Sequence, residues 1–383
     1  MPRPTFYEFF AGGGMARAGL GDAWTCLFAN DFDARKAASY RENWGGEHVC
    51  EGDIHALASA DLPGRADLAW ASFPCQDLSL AGAGAGLNGG RSGAFFGFAR
   101  LIAALRAEGR APRLLALENV TGLLTSRGGA DFAALCRALQ QLGYRYGALT
   151  IDAAHFLPHS RPRLFVVGFA RDAAIPARLR ACAPAPDWTS PALLRAKNAL
   201  PDDLAADWIW WRLPPAPTRN MALADLIDEA PADVSWLPRS GVARLVSLMA
   251  PANRAKLDAA KRSGVLVVGT LYRRTRRDVD GGRVQRAEAR FDGIAGCLRT
   301  PAGGSSRQSL IVVESGRVRA RLLSGREAAR LMGLPEDYKL PARYNEAYHL
   351  LGDGVVVPVV RFLGQSLLTP LARAGAAPAI AAE

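Results

Sequence analysis

Phe73-Pro74-Cys75-Gln76 is where the chain most plainly offers chemistry. A lone cysteine is usually an inert core residue. Cys75 instead follows a proline at the end of an apolar run, ADLAWAS. It opens a stretch holding Gly82, Gly84, Gly86, Gly89 and Gly90. A thiol so placed is a candidate nucleophile, and the glycines suit a closing segment. Glu118, in Glu118-Asn119-Val120, ends the next apolar run and brings a carboxyl to the same edge. Taken alone it reads equally well as a strand-end acid bonded to a neighbouring turn. Arg161 and Arg163, in His159-Ser160-Arg161-Pro162-Arg163-Leu164-Phe165, alternate into an apolar strand. Alternation puts both on one face, which points to an anionic or carbonyl partner.

A second set of residues points to a nucleoside ligand. Phe9-Phe10-Ala11-Gly12-Gly13-Gly14 follows a strand-like segment. Glycines there permit positive φ and close approach of backbone to a ligand. The dinucleotide spacing GxGxxG fails, because position 17 is Arg. Asp31 ends the second strand-like segment and Asp53 the third. An acid at the second strand's end can accept both ribose hydroxyls, and Asp53 can accept from an adenine amino group. Singly, each is as readily a solvated turn aspartate. On adjacent strand ends beside a glycine turn, they favour an adenosine pocket.

These residues need a scaffold that gathers strand ends. Over residues 6–170, strand-like runs (FYEFF, TCLFAN, EHVCEGD, ADLAWAS, LLALENV, RLFVVGF) alternate with helical periodicity, as in AFFGFARLIAALRAEG. That pattern predicts an α/β fold with a doubly wound, mostly parallel sheet, whose ligands bind at the carboxyl edge. Between about 172 and 318 the pattern dissolves into prolines and turns, which predicts a second, irregular domain. Regular patterning returns at SGREAARLMG, a capped helix, and at VVVPVVRFLGQSLL. The expected division is 1–171, 172–318 and a return segment 319–372, with a frayed tail at 373–383. Trp208, Trp210 and Trp211 are expected in the middle domain's core.

The chain has 383 residues, 49% of them apolar, enough for a sizeable core. No run of about 18 apolar residues appears, so no membrane span is expected. The first residues, MPRPTFYEFFAGGG, lack a secretory pattern. The six cysteines are scattered without CxxC pairs and the five histidines show no ligand spacing, so neither disulfides nor a metal are expected. A formal charge of +11 favours a polyanionic partner. A GC-rich genome would give the same bias.

Taken together and in order, these motifs resemble the cytosine-5 DNA methyltransferases. The likeness covers nearly the whole chain outside the middle domain. FFAGGG resembles the cofactor loop FxGxG. Asn30-Asp31-Phe32 and Gly52-Asp53-Ile54 resemble the ribose and adenine motifs, FPCQ the nucleophile motif, and ENV its partner. His159 to Arg163 resembles QxRxR. Arg321 to Pro335 resembles the helix that follows the target recognition domain, and Leu351-Gly352-Asp353-Gly354-Val355 the final GNSV motif. The resemblance implies the S-adenosylmethionine-dependent methyltransferase fold and S-adenosyl-L-methionine bound by Phe10, Ala11, Gly12, Gly14, Asp31, Phe32, Asp53, Ile54, Pro74, Asp353 and Val355. It implies double-stranded DNA contacted by Gln76, Ser79, Arg91, Arg273, Arg274, Arg276, Arg277 and Cys297. Four departures from the pattern stand out. Met15 stands for a glycine, His159 for glutamine, Cys297-Leu298 for Thr-Leu, and Asp353-Gly354 for Asn-Ser. A carboxylate at 353 would face the cofactor's own carboxylate.

The implied reaction needs a thiolate at cytosine carbon 6, a group on N3 and the amino group, and support for O2. Cys75, Glu118 and Arg163 match these in turn, with Glu118 carrying or gaining a proton and Arg161 acting as a positioning residue. A stacked cytosine cannot reach a thiol, so base flipping is implied. In the middle domain some arginines would contact phosphates and a few would read guanine edges. A solvated basic hairpin is the alternative for any one of them. An amino-methylating enzyme is disfavoured by FPCQ, and a nicotinamide dehydrogenase by the missing third glycine. A tRNA methyltransferase usually has a smaller middle domain. A catalytically silent relative would not need Cys75, Glu118 and Arg163, though Asp353 keeps that reading open. A cytoplasmic, monomeric bacterial or phage enzyme is expected, at the nucleoid and with or without a companion restriction endonuclease.

Overall fold

The structure is a computed structural model that describes residues 2–74, 93–277, 281–299 and 306–374. Cys75, Gln76, Ser79 and Arg91 lie outside the described residues, as does the chain beyond 374. Contacts divide the chain into two compact units. One comprises Met1–Asp152, Pro162–Ala216 and Val357–Glu383, the other Ala153–Arg161 and Pro217–Val356.

The first unit is built on a seven-stranded sheet. In chain order its elements are β1 (Thr5–Phe9), α1 (Met15–Leu20), β2 (Thr25–Asp31), α2 (Ala34–Trp44), β3 (Val49–Glu51), β4 (Leu68–Ala71), α3 (Ala94–Ala107), β5 (Leu114–Val120), α4 (Ala130–Gln141), β6 (Tyr144–Asp152) and β7 (Pro162–Ala170). The strand order is β3-β2-β1-β4-β5-β7-β6. Strands β1 to β5 run parallel, whereas β7 is antiparallel to both β5 and β6. All four residues of β4 are buried, as expected of a parallel strand covered on both faces. Alternation along β1 sends Tyr7 and Phe9 into the cluster formed with Phe98, Leu101 and Ile102 of α3. Phe6 meets the Trp24 ring edge-on at 6.4 Å. Asp33 caps α2, its carboxylate accepting from the amides of Arg35 and Lys36.

The sheet differs from the sequence reading in three respects. Strand β6 was not anticipated. Strand β3 stops at Glu51, so Asp53 lies in the loop beyond it. Residues 172–216 pack with this sheet rather than with the middle region. Short strands β8 (Arg180–Ala181) and β9 (Trp210–Trp211) pair here, and helices α5 (Pro191–Asn198) and α6 (Asp202–Ala205) lie between them. The amide of Ile209 donates to the Tyr146 carbonyl at 2.7 Å, and Trp208 meets the rings of Tyr146 and Phe132. The tryptophans therefore cover β6 and are not the middle domain's core.

The second unit is more regular than its proline content suggested. Helices α7 (Arg239–Ser247) and α8 (Pro251–Arg262) precede an antiparallel sheet of β10 (Val267–Arg277), β11 (Arg283–Arg290), β12 (Ser309–Glu314) and β13 (Arg317–Leu322), in the order β11-β10-β12-β13. Its core joins Leu271, Ile311 and Val313 to Leu245 and Leu257 of the two helices. Helix α9 (Gly325–Leu331) starts in a capping box, with Ser324 and Glu327 bonding each other's backbone amides. Glu327 also takes the Arg321 guanidinium, both side chains being fully buried. Helix α10 (Tyr344–Asp353) closes the unit, and α11 (Val357–Leu363) and α12 (Thr369–Ala374) belong to the first. The run Tyr344–Ala374 is long and apolar enough to cross a membrane by length and composition, but 61% of its most apolar stretch is buried inside the protein. Such burial is what a core helix shows.

Candidate active site

Two clusters of polar residues sit at the carboxyl ends of the sheet strands. The first is at β1 and β2. Phe10 leaves β1 with φ 56°, a left-handed conformation costing a non-glycine residue about 1–2 kcal/mol. Gly12 (φ 56°) has open space where a Cβ would stand. At Gly14 (φ 77°) a Cβ would lie 2.3 Å from Trp44 Nε1, so α1 can start there only with glycine. The loop is tied down by Trp44 Nε1, which donates to the Gly13 carbonyl, and by the Gly12 amide, which donates to Asp31 Oδ2 at 2.8 Å. Asp31 Oδ1 accepts from the Asp33 amide at 2.9 Å. Burial holds the Asp31 carboxyl above the usual carboxylate range, against the pull of those two amides. Phe32 is 72% exposed, so a large aromatic face lies open beside Asp31.

Three further residues of this region lie as follows. Asp53 is exposed, with Oδ1 accepting from the His55 amide. Ile54 is buried in the core against α3. Met15 is buried at the start of α1. Sequence reasoning missed Glu8. It is 1% exposed on β1, and Oε1 accepts from the Arg17 amide at 3.3 Å. Burial pushes its carboxyl up to about 8, partly offset by the amides of Arg17 and Ala16 and by the Arg17 charge. An acid inside the apolar run FYEFF was the available signal.

The second cluster joins β4, β5 and β7. Phe73 is buried and Pro74 exposed just past β4. Asn119 Nδ2 donates to the Phe73 carbonyl at 3.0 Å, which pins the backbone two residues before Cys75 to the end of β5. One position earlier on β5, Glu118 Oε1 lies 3.1 Å from Arg163 Nε, their side chains 9% and 15% exposed. Register explains the pair. β7 opposes Val120 with Arg163 and Glu118 with Phe165, so Arg163 and Glu118 are diagonal neighbours on one face. This requires β7 to run antiparallel. Were it parallel, a residue at its start would lie at the sheet's other edge.

Arg161 does not share that environment. It is 2% exposed in the second unit, where Nη2 donates to the carbonyls of Gly352 and Gly354, both at 2.7 Å. Nη1 donates to the Leu298 carbonyl at 3.1 Å and approaches Cys297 Sγ at 3.3 Å. The expectation that Arg161 and Arg163 share a face fails, because β7 begins only at Pro162 and Arg161 precedes it. His159 is fully buried. Its Nδ1 faces the Leu331 carbonyl and Nε2 accepts from the Leu298 amide. Asp353 is exposed and Val355 buried. Arg161 thus knits Cys297-Leu298 to the Gly352–Gly354 turn through main-chain oxygens, which substitutions at 353 and 354 leave in place.

Arg273, Arg274, Arg276 and Arg277 all lie on β10, paired with β11. Among the described residues no group of three or more His, Cys, Asp or Glu side chains could hold a metal ion.

A glycine loop, a strand-end acid and a buried carboxylate–guanidinium pair thus share one sheet edge of an α/β fold. The fold is shared with the Dnmt2 methyltransferase of S. pombe, with a TM-score of 0.58 at 17% identity over 96% of this chain and 98% of that one. The model of the C-5 cytosine-specific DNA methylases matches residues 4–369, and the chain belongs to that family. It is similar to the Type II methyltransferases M.NlaX of Neisseria lactamica (27% identical, covering 95% of this chain and 96% of the relative) and M.BsuFI of Bacillus subtilis (26%, covering 93% and 70%). The protein is accordingly a DNA (cytosine-5-)-methyltransferase.

Proposed function

We propose that the chain methylates one cytosine within a short sequence of duplex DNA, with Cys75 as nucleophile and S-adenosyl-L-methionine as donor. The observation that carries this reading is the strand-end arrangement in which Asn119 holds the Phe73 carbonyl beside the Glu118–Arg163 pair. The donor supplies an electrophilic sulfonium methyl. The residues fit such a ligand. Asp31 spends one lone pair per oxygen on amides and keeps others for two ribose hydroxyls. Phe32 offers a face for adenine, and the loop at Gly12 leaves room for close approach.

The cytosine leaves the helix stack to meet these groups. The Cys75 thiolate adds to carbon 6, and Glu118 supplies a proton at N3 and accepts from the exocyclic amine. Arg163 supports O2 while remaining within reach of Glu118. Carbon 5, now enamine-like, accepts the methyl as the sulfonium methyl–sulfur bond breaks, leaving S-adenosyl-L-homocysteine. The carbon-5 proton passes to water, the carbon 6–sulfur bond breaks to release the thiolate, and Glu118 takes back the N3 proton, which restores the aromatic ring. Arg161 acts through the backbone it ties together. The second unit serves as target recognition domain. The protein works as a monomer at the nucleoid of a bacterial or phage-infected cell, where a cognate restriction endonuclease would give the modification its purpose.

The test is bisulfite sequencing of DNA from cells expressing the protein or Cys75→Ser. Protected cytosines confined to one short motif, and absent with the variant, are expected. If no cytosine is protected with the unaltered protein, the reading is wrong.

A further inference from the structure

The sheet of the second unit carries a projecting arm. Strand β10 pairs with β12 only from Val267 to Leu271, whereas β10 and β11 stay paired out to Arg277 and Arg283. Beyond Ser306, which bonds the Arg273 backbone, β10 has no partner other than β11 among the described residues. Among the described residues the arm is a two-stranded ribbon, of a width the DNA major groove admits.

Its register sorts the arginines into two rows. Arg273, Thr275 and Arg277 lie opposite Ala287, Gln285 and Arg283 and share one face. Tyr272, Arg274 and Arg276 lie opposite Glu288, Arg286 and Val284 and share the other. Glu288 distinguishes the rows. Its Oε1 accepts from Arg276 Nε at 2.6 Å and from Nη2 at 2.5 Å, while Oε2 lies 3.4 Å from Arg274 Nε. Arg274 in turn lies over the Tyr272 ring, 5.6 Å from its centroid. The Arg276 side chain is still 50% exposed.

A carboxylate beside a guanidinium weakens its pull on phosphate, which responds to charge. It also fixes the fork, which a base edge rewards. With Nε and one face of Nη2 on Glu288, the outward Nη1/Nη2 edge remains available, the edge that can donate to guanine O6 and N7 together. We propose that Arg276 reads one guanine of the recognition sequence in the major groove and that Glu288 is the positioning residue that aims it. The Arg277–Arg283 pair on the opposite face bears on phosphate. This rests on the duplex-DNA reading above.

The experiment methylates a duplex library, randomised around the target cytosine, with the unaltered protein, Arg276→Ala, Arg276→Lys, Glu288→Gln and Arg277→Ala. Duplex affinity is measured against salt in parallel, with thermal melts to confirm folding. Arg276→Ala should cut the preference for guanine at one position by roughly ten- to hundredfold. Arg276→Lys should not restore it, because an ammonium lacks the fork. Glu288→Gln should relax the same position by less. Arg277→Ala should weaken all sequences evenly and lower the log–log salt slope by about one. An unchanged guanine preference in a folded, active Arg276→Ala overturns the assignment, as does a uniform loss of affinity with a reduced salt slope. If the unaltered protein methylates no library member, the functional reading itself fails, a result separate from either.

Discussion

The sheet edge of the first unit and the ribbon of the second both present arginine beside glutamate, yet they solve different problems. At the edge, Glu118 and Arg163 are nearly buried and set by strand register, so their distance is a property of the fold. On the ribbon, Arg276 is half exposed and held by a single side chain. The buried pair loses water and gains strength, which suits steps where charge develops on a ring. The exposed pair stays wet and weak, and suits recognition, where small differences between bases matter more than total energy. On the proposed reading, chemistry is placed where geometry cannot drift, and selection where one substitution can retune it.

The contrast can be broken most sharply at Glu118. Glu118→Gln keeps the shape but removes the proton donor, and should slow single-turnover methyl transfer by about 10²- to 10⁴-fold, with duplex affinity changed far less. A loss confined to affinity would place Glu118 with the ribbon rather than with the chemistry. Arg161→Ala probes the buried arginine of the second unit. It strands the carbonyls of Leu298, Gly352 and Gly354, and should cost about 3 kcal/mol or more in denaturant unfolding. A change under about 1 kcal/mol would deny Arg161 its positioning role.

A test of a different kind concerns Glu8. Its carboxyl is held neutral by burial, with a value raised to about 8 in the fold. Arg17, Tyr40, Cys26 and His48 are the titratable or charged groups clustered with it. A raised value means a contribution that is full below the unfolded carboxylate range and is lost as pH rises towards 8. Glu8→Gln should therefore flatten the fall in melting temperature between about pH 5 and 8. Parallel slopes in the two proteins would contradict the burial argument.

Much of this was legible in the residues. The strand-end positions of the glycine loop, Asp31 and Glu118 could be read because each follows or closes an apolar run, and a parallel sheet puts such positions on one edge. Direction was not legible. RLFVVGF reads as a strand either way, and only the antiparallel course of β7 carries Arg163 to Glu118. The boundary at 171 failed for a related reason. Prolines in 172–216 marked irregular chain, but the same stretch holds Trp208 and Ile209, which bond and cover β6, a strand the sequence reading had not identified. Irregular local pattern does not say which sheet a segment covers. EHVCEGD reads as one strand with Asp53 at its end, whereas β3 spans only Val49–Glu51, and its link to β2 finishes where the Gly52 amide donates to the Asp31 carbonyl. The ribbon's two rows needed register, which no single strand supplies.

The central claim is covalent, and the most direct measurement is a trap. A duplex bearing 5-fluorocytosine at the methylated position is incubated with the protein and S-adenosyl-L-methionine, then denatured and weighed by mass spectrometry. Fluorine blocks the final elimination, so a one-to-one adduct carrying one added methyl is expected, attached at Cys75 and absent from Cys75→Ser. An adduct that persists in the variant, or that maps to another cysteine, would contradict the account.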